Sequence, residues 1–129
     1  MHIYVKMKDF KEKYQKRLLN LSKDTIGFVI TLPNTVEYQV IRRQLIRSVT
    51  SIGANYRAAC RAKSDADFIY KLQIVEEECD ESIYWMQLIG DLFNDKNERI
   101  LTLINELEQV LAITISSIKK VKDRKNKKH

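Results

Sequence analysis

The sequence predicts an all-α protein that folds as an antiparallel up-down-up-down four-helix bundle. Three glycines and one proline in 129 residues are too few for the many turns that a sheet protein needs. Instead, four segments repeat apolar side chains every three or four positions, which is the period of an amphipathic helix. The connections between these segments are short, which favours antiparallel neighbours. We therefore expect residues 1–129 to form a single domain.

The first two predicted helices are separated by Pro33, because proline disfavours helical backbone in the residue before it. The first helix carries an apolar stripe made of Phe10, Tyr14, Leu18, Leu21, Thr25, Phe28 and Leu32. Asn34, with Glu37 three residues later, resembles a capping box and would begin the second helix. That helix is expected to run to about Lys63. Its core stripe comprises Tyr38, Ile41, Leu45, Ile52, Tyr56 and Ala59.

The third and fourth predicted helices occupy the second half of the chain. Ser64 and Asp67 look like the third helix's cap, and Gly90 with the turn-rich residues 94–97 would end it. Its core stripe is Phe68, Leu72, Val75, Cys79, Ser82, Met86, Ile89 and Phe93. The core stripe of the fourth predicted helix is Ile100, Leu103, Ile104, Leu107, Leu111, Ile115 and Ile118. The pattern then decays into residues 119–129, which we expect to form a flexible basic tail.

Charge is divided unevenly between the predicted helices. Residues 34–63 contain six basic side chains and one acidic side chain, whereas residues 64–95 contain nine acidic side chains and only Lys71 as a base. The third helix is therefore acidic and its neighbours are basic. This complementarity could fix the order of helices within one bundle, or part of it could lie between subunits.

The third predicted helix has a second apolar stripe, about 100° or more from its core stripe. A helix that is apolar on two sides is usually covered on two sides. Aromatic residues are enriched in the cores of subunit interfaces. The stripe therefore predicts contact with a partner subunit. It comprises Ile74, Trp85, Leu88 and Leu92, with Glu78 and Glu81 among them.

The second predicted helix carries small and polar residues beside its core stripe: Gln44, Arg47, Ser48, Ser51, Asn55 and Ala58. Small side chains let another helix approach closely, and polar ones can form hydrogen bonds across the contact. Arg47 could reach Glu78 or Glu81, which share one face of their helix through i,i+3 spacing. We expect a buried or half-buried polar seam, within or between subunits; the alternative is a solvated polar face.

Residues 44–89, with Leu32-Pro33 upstream, resemble the signature of the small bacterial four-helix-bundle proteins called 23S rRNA-intervening-sequence proteins. The residues that carry the resemblance are Gln44-Leu45, Arg47-Ser48, Ser51 to Tyr56, Ser64, Asp67-Phe68, Lys71-Leu72, Glu78, Glu81 and Tyr84-Trp85. That family is similar in fold to the accessory protein of diversity-generating retroelements, a pentameric barrel that binds nucleic acid. The resemblance implies a cytoplasmic homo-oligomer, with five subunits expected, and suggests RNA, including rRNA, as a partner.

The residues favour a protein without catalytic activity, metal or other cofactor. The two histidines, His2 and His129, stand at the ends of the chain, and there is no Glu-x-x-His motif of the kind that di-iron bundles use. There is also no glycine-rich phosphate loop. The cluster Glu76-Glu77-Glu78 with Glu81 is better explained by a solvated face and ion pairs than by a metal site. Cys60 and Cys79 are expected to be reduced thiols in the core.

Two classes of function remain: nucleic-acid binding with little sequence preference, and a protein-interaction scaffold. The net charge of +6 favours nucleic acid, because clustered cations attract phosphates. No apolar run approaches the roughly 20 residues of a membrane span, and no signal core is present, so we expect a cytoplasmic protein that does not bind membranes. The candidate nucleic-acid contacts are Arg43, Arg57, Arg61, Lys119, Lys120, Lys122, Arg124 and Lys125. Arg47 lies in the same sector of the second helix as Arg43, Arg57 and Arg61. It would be a fourth candidate contact to nucleic acid if it did not pair with the glutamates of the polar seam.

Overall fold

The structure is a computed structural model that describes residues 2–93 and 97–127, all of it helical apart from the connections. The four helices are α1 (His2–Val29), α2 (Val36–Ala59), α3 (Asp65–Phe93) and α4 (Glu98–Lys127). Contacts between them show that neighbours run in opposite directions. Tyr14 meets Tyr56, whereas Ser22, further along α1, donates a hydrogen bond to the carbonyl of Val49, further back along α2. The predicted four-helix architecture is confirmed for the described part of the chain.

The core lies between the four helices and matches most of the predicted stripes. Leu18, Phe28, Leu45, Leu72 and Leu107 are essentially inaccessible to solvent. Ile115 is an exception, because its side chain is 48% exposed and the core positions there are Val110 and Thr114. Leu107, Leu111 and Ile115 of the predicted stripe are four residues apart, and each such step rotates the side chain by about 40° around the helix axis. Alternating steps of three and four residues keep the side chains facing the core.

Both cysteines are free, and Cys79 lies in the core. Burial raises the pKa of the Cys79 thiol to about 12, so the side chain remains protonated at neutral pH. Cys60 is half-buried near the end of α2.

The predicted capping box at the start of α2 is wrong. Thr35, rather than Asn34, is the N-cap residue, and no side chain caps this end of the helix. The amide of Asn34 instead accepts a hydrogen bond from Gln39 Nε2 at 3.0 Å. Helix α2 also ends at Ala59 rather than near Lys63, because the backbone tightens into three-residue turns at Arg61 and Ala62.

The other helix ends agree better with the sequence. Ser64 Oγ accepts a hydrogen bond from the backbone N–H of Asp67 at 3.0 Å, which confirms the predicted cap of α3. Gly90, however, lies inside α3 rather than at its end. Asn97 caps α4 by accepting a hydrogen bond from the backbone N–H of Arg99 at 2.8 Å. The remaining turn residues, 94–96, lie outside the described residues.

Arg42 holds the connection between α1 and α2 in place. Its guanidinium donates hydrogen bonds to the carbonyls of Val29, Leu32 and Pro33 at 3.0–3.1 Å. These carbonyls follow the last turn of α1, where backbone acceptors have no partner within the helix. One side chain of α2 therefore stabilises the end of α1.

Helix α4 differs in two ways from its prediction. It continues to Lys127, so residues 119–127 are helical instead of forming a flexible tail, and residues 128–129 lie outside the described residues. By length and composition alone, α4 is also long and apolar enough to cross a membrane, although a core helix of a soluble protein passes the same test. In the bundle, Arg17 of α1 holds Glu106 of α4 through two hydrogen bonds of 2.6 and 2.8 Å.

Candidate nucleic-acid interface

The polar seam predicted on α2 exists and faces α3 of the same subunit. At its centre, Ser82 Oγ donates to Ser48 Oγ at 2.8 Å, and Ser48 Oγ donates to the carbonyl of Leu45 at 3.2 Å. Both serines are buried, so each polar group needs the partner that it has. Further along α2, the amide of Asn55 donates to the Oγ and the carbonyl of Ser51 at 2.8 and 2.9 Å.

Arg47 occupies the outer edge of the seam and pairs with both predicted glutamates. Its guanidinium lies 3.0 Å from Glu78 Oε2 and also binds Glu81, whose second oxygen accepts a hydrogen bond from Trp85 Nε1 at 3.2 Å. The Arg47 Nε contacts Gln44 Oε1 at 3.4 Å. The Arg47 side chain is 50% exposed and that of Glu78 only 14% exposed. The ion pairs therefore lie within one subunit at the surface of the seam, and Arg47 is engaged by acids rather than free for phosphate.

Replacement of Arg47 by alanine is expected to lower the free energy of unfolding by about 1 kcal/mol. Breaking a fully buried ion pair costs about 3–5 kcal/mol, whereas an exposed ion pair contributes about 0–1 kcal/mol. Because half of the Arg47 side chain is exposed to water, the lower range applies. The hydrogen bond from Arg47 is the main reason that the pKa of Glu81 is lowered. A lowered pKa stabilises the fold above the pH range in which an unfolded glutamate titrates, and that contribution is lost as the pH falls through the lowered value.

Urea unfolding at neutral and at acid pH measures this effect. The difference between Arg47→Ala and the parent should shrink as the pH falls. Arg43→Ala is the matched control, because Arg43 is exposed on the same helix and makes no ion pair within the described part of the chain. Equal stability of Arg47→Ala and Arg43→Ala at neutral pH would show that the seam's ion pairs contribute nothing.

The three arginines predicted to contact nucleic acid in this part of the chain are Arg43 and Arg57 of α2 and Arg61, just after its end. Arg43, Arg57 and Arg61 are all exposed, as nucleic-acid contacts must be. Arg57 also lines a cavity of about 470 Å³ between α1 and α2, together with Lys23. Arg43 lies in the opposite half of α2, more than three helical turns from Arg57. The structure therefore separates Arg43 from the two arginines near the end of the helix.

Cations from three parts of the chain meet at one end of the bundle. Lys11 of α1, Lys63 after α2 and Arg124 of α4 line a single cavity of about 410 Å³. Because α1 and α3 begin at this end and α2 and α4 finish there, residues distant in sequence become neighbours. Arg124 is paired with Asp65 Oδ1 at 2.9 Å, and both side chains are largely exposed.

We call this region the basic end. It contains the candidate residues Arg57, Arg61, Lys119, Lys120, Lys122, Arg124 and Lys125, and it adds Lys6, Lys8, Lys11, Lys13, Lys63 and Lys127. The α1 lysines were not identified from charge, because residues 1–33 carry seven basic and three acidic side chains with no local run of cations like that of residues 119–128. Up-down topology alone could have revealed them, since it places the start of the first helix beside the end of the fourth. In α4, Lys125 is half-buried, whereas Lys119, Lys120, Lys122 and Lys127 are exposed. In α1, Lys13 forms an ion pair with Asp9 at 3.1 Å.

The opposite end of the α2–α3 face is apolar. Val36 and Val40 at the start of α2 are 74% and 52% exposed, and Leu92 near the end of α3 is 50% exposed. The register set by Arg47 against Glu78 and Glu81 brings these parts of the two helices side by side. Of the predicted second stripe, Ile74, Trp85 and Leu88 are half-buried within the subunit. We call Val36, Val40, Trp85, Leu88 and Leu92 the apolar patch.

The acidic outer side of α3 holds no candidate metal site. Among the described side chains, those of residues 6–92 and 97–127, no three His, Cys, Asp or Glu groups lie closely enough together to hold a metal ion.

The comparisons with known proteins agree with the fold. The chain is similar to a crystal structure, solved at 1.70 Å, of a protein of unknown function from the S23 ribosomal protein family of Bacteroides thetaiotaomicron VPI-5482. The two share 32% sequence identity with a TM-score of 0.76, over 84% of this chain and 97% of the other. A comparison with curated proteins gave no match. The family model for the 23S rRNA-intervening sequence protein matches residues 11–116. The chain therefore belongs to the 23S rRNA-intervening sequence protein family.

Proposed function

We propose that this chain is a non-catalytic, homo-oligomeric protein of the cytoplasm that binds RNA or other nucleic acid through the basic end of its bundle. The proposal rests on Lys11 and Lys63, which line one cavity and make no ion pair within the described side chains, and on the exposed lysines of α4 beside them. Arg124 lines the same cavity but is paired with Asp65. Cations held on three helix ends create a concentrated positive field, and such a field attracts the phosphate backbone.

Little sequence preference is expected from this surface. Contacts to phosphates position a nucleic acid but do not read its bases, and no base-reading helix or motif stands out in the chain. The family name refers to rRNA, so a structured rRNA fragment is a sensible first ligand.

The oligomer would form through the apolar patch, which lies at the other end of the bundle from the cations. An exposed group of valine and leucine side chains with a half-buried tryptophan is typical of an interface core. The resemblance to pentameric bundles makes five subunits the expected number. Association at the apolar patch would leave each basic end accessible and would place several of them on one particle. The same patch could instead receive a different protein, which is the scaffold alternative.

A salt titration of RNA binding tests the proposal. Fluorescence anisotropy with a labelled rRNA fragment should show affinity falling linearly on logarithmic axes, with a slope of about −0.9 for each phosphate contact on duplex and about −0.7 on single strands. Undetectable binding at low salt by an intact oligomer would favour the scaffold alternative. Affinity that did not change with salt would also contradict a phosphate-binding surface.

A further inference from the structure

The basic end contains an aromatic cavity that directly adjoins the cationic one. This cavity measures about 390 Å³ and lies between the first turns of α1, the end of α2 and parts of α3 and α4. Its walls are mostly apolar, and four aromatic rings contribute to them: Phe10, Tyr14, Tyr56 and Phe68. Met7, Lys11, Cys60 and Phe68 line both cavities, so the two form one continuous site.

One of the four rings at this site, that of Phe10, is exposed to solvent, whereas Tyr14 is buried and Tyr56 and Phe68 are half-buried. Phe10 is 59% exposed, and its ring lies parallel to that of Tyr14, with the centroids 5.9 Å apart and 6° between the planes. Tyr14 is in turn fixed by Tyr56, edge to face at 4.7 Å. Phe10 therefore extends a rigid aromatic stack outward from the core.

The two cavities together match the two chemical parts of a nucleotide. A base has two π faces that stack on aromatic side chains, and its phosphate is an anion. Lys6 and Lys11 lie at the aromatic cavity, and Lys63 lies in the adjoining one. None of these three lysines makes an ion pair within residues 6–92 and 97–127, so their charges remain available.

We propose that the aromatic cavity takes an unstacked nucleobase of a single-stranded nucleic acid while the adjoining lysines hold the flanking phosphates. This inference rests on the proposed function and narrows its ligand class from any nucleic acid to single strands. A base within a duplex is stacked on both faces and cannot stack on Phe10, whereas an unpaired base can. Duplex would still bind, but through phosphate contacts alone.

Substitutions of Phe10 separate stacking from charge. The ligands are a labelled single-stranded RNA of about eight nucleotides, a usual site size, and the duplex that it forms with its complement. Phe10→Ala should weaken binding of the single strand by about 5- to 160-fold, the range expected for one stacked base, and should leave duplex binding unchanged. Phe10→Tyr should retain the parent's affinity, and Phe10→Leu should resemble Phe10→Ala because leucine has apolar area but no π face. Tyr70→Ala is the matched control, since Tyr70 is 57% exposed but lies outside the cavity.

A direct readout comes from Phe10→Trp, whose indole fluorescence should be quenched by the single strand but not by the duplex. Full single-strand affinity in Phe10→Leu, or equal losses for both ligands in Phe10→Ala, would overturn the proposed base site. Salt-sensitive binding of both ligands by the parent would still support the proposed function in that case. A parent protein that bound neither ligand would overturn both proposals.

Discussion

Replacement of Lys119, Lys120 and Lys122 by glutamine is expected to weaken RNA binding by about 10- to 100-fold at 0.1 M salt. Each lost phosphate contact removes about 0.7 of a decade of affinity for a single strand at this salt concentration, so three contacts would give the upper value. All three lysines are exposed on the last turns of α4. Glutamine keeps a good helix propensity, so α4 should remain helical.

The matched control removes the same amount of charge from other parts of the bundle. Lys16, Lys23 and Arg99 are exposed on α1 and at the start of α4, beside residues 98–106 and away from the last turns of that helix. Their replacement by glutamine gives the same net charge, so a general field effect would weaken both triple variants equally. Anisotropy titrations should show a clearly larger loss for the α4 variant. Equal losses would mean that net charge, rather than the basic end, attracts the RNA.

Introduction of glutamate at both Val40 and Leu92 is expected to dissociate the proposed oligomer into monomers of 15.2 kDa. Each substitution would bury an unpaired charge in the proposed interface, and an uncompensated buried charge typically costs about 3–5 kcal/mol. The bundle itself should tolerate both changes, because the two side chains are 52% and 50% exposed within the subunit. Light scattering on dilute protein measures the mass.

Leu101→Glu provides the control for this variant, because Leu101 is 61% exposed on α4, outside the apolar patch. It should leave the oligomer intact. A parent protein that is already monomeric at micromolar concentration would contradict the oligomer, and a stable oligomer of the double variant would place the interface elsewhere.

The helical repeat of apolar residues made the fold predictable from the sequence. The positions of the helix ends were less predictable. Repeats of three and four residues identified four helices, but two described residues of the predicted core stripes are exposed: Phe10 near the start of α1, and Ile115, where constant steps of four drifted away from the core. Asn34 has the residue type of a cap, yet its amide binds Gln39. Thr35 is the N-cap residue, and no side chain caps this end of α2, so residue type alone did not locate the cap.

The polar seam was partly predictable because its residues share helix faces. Spacing alone identified Arg47 with Glu78 and Glu81, but only the register of α2 against α3 shows that they pair within one subunit. Arg42 was not identified as a structural residue, because its partners are backbone carbonyls and carry no side-chain signal.

The basic end is the feature that depends most on the three-dimensional structure and could least be predicted from the sequence. Lys11 and Arg124 are more than a hundred residues apart in sequence and line one cavity. The same convergence brings Phe10 next to Phe68 and creates the aromatic cavity. Neither feature has a local motif, because each is assembled from single residues on different helices.

Photo-cross-linking of bound RNA, followed by peptide mapping, tests most directly whether the basic end is the nucleic-acid surface. RNA carrying a photoreactive base is bound to the intact oligomer at low salt and irradiated, and the cross-linked peptides are identified by mass spectrometry. We predict cross-links within residues 6–14, 57–68 and 119–127, with Phe10 among the modified residues. Cross-links concentrated on residues 76–92 of α3, or around Arg99 at the start of α4, would contradict the assignment of RNA binding to the basic end.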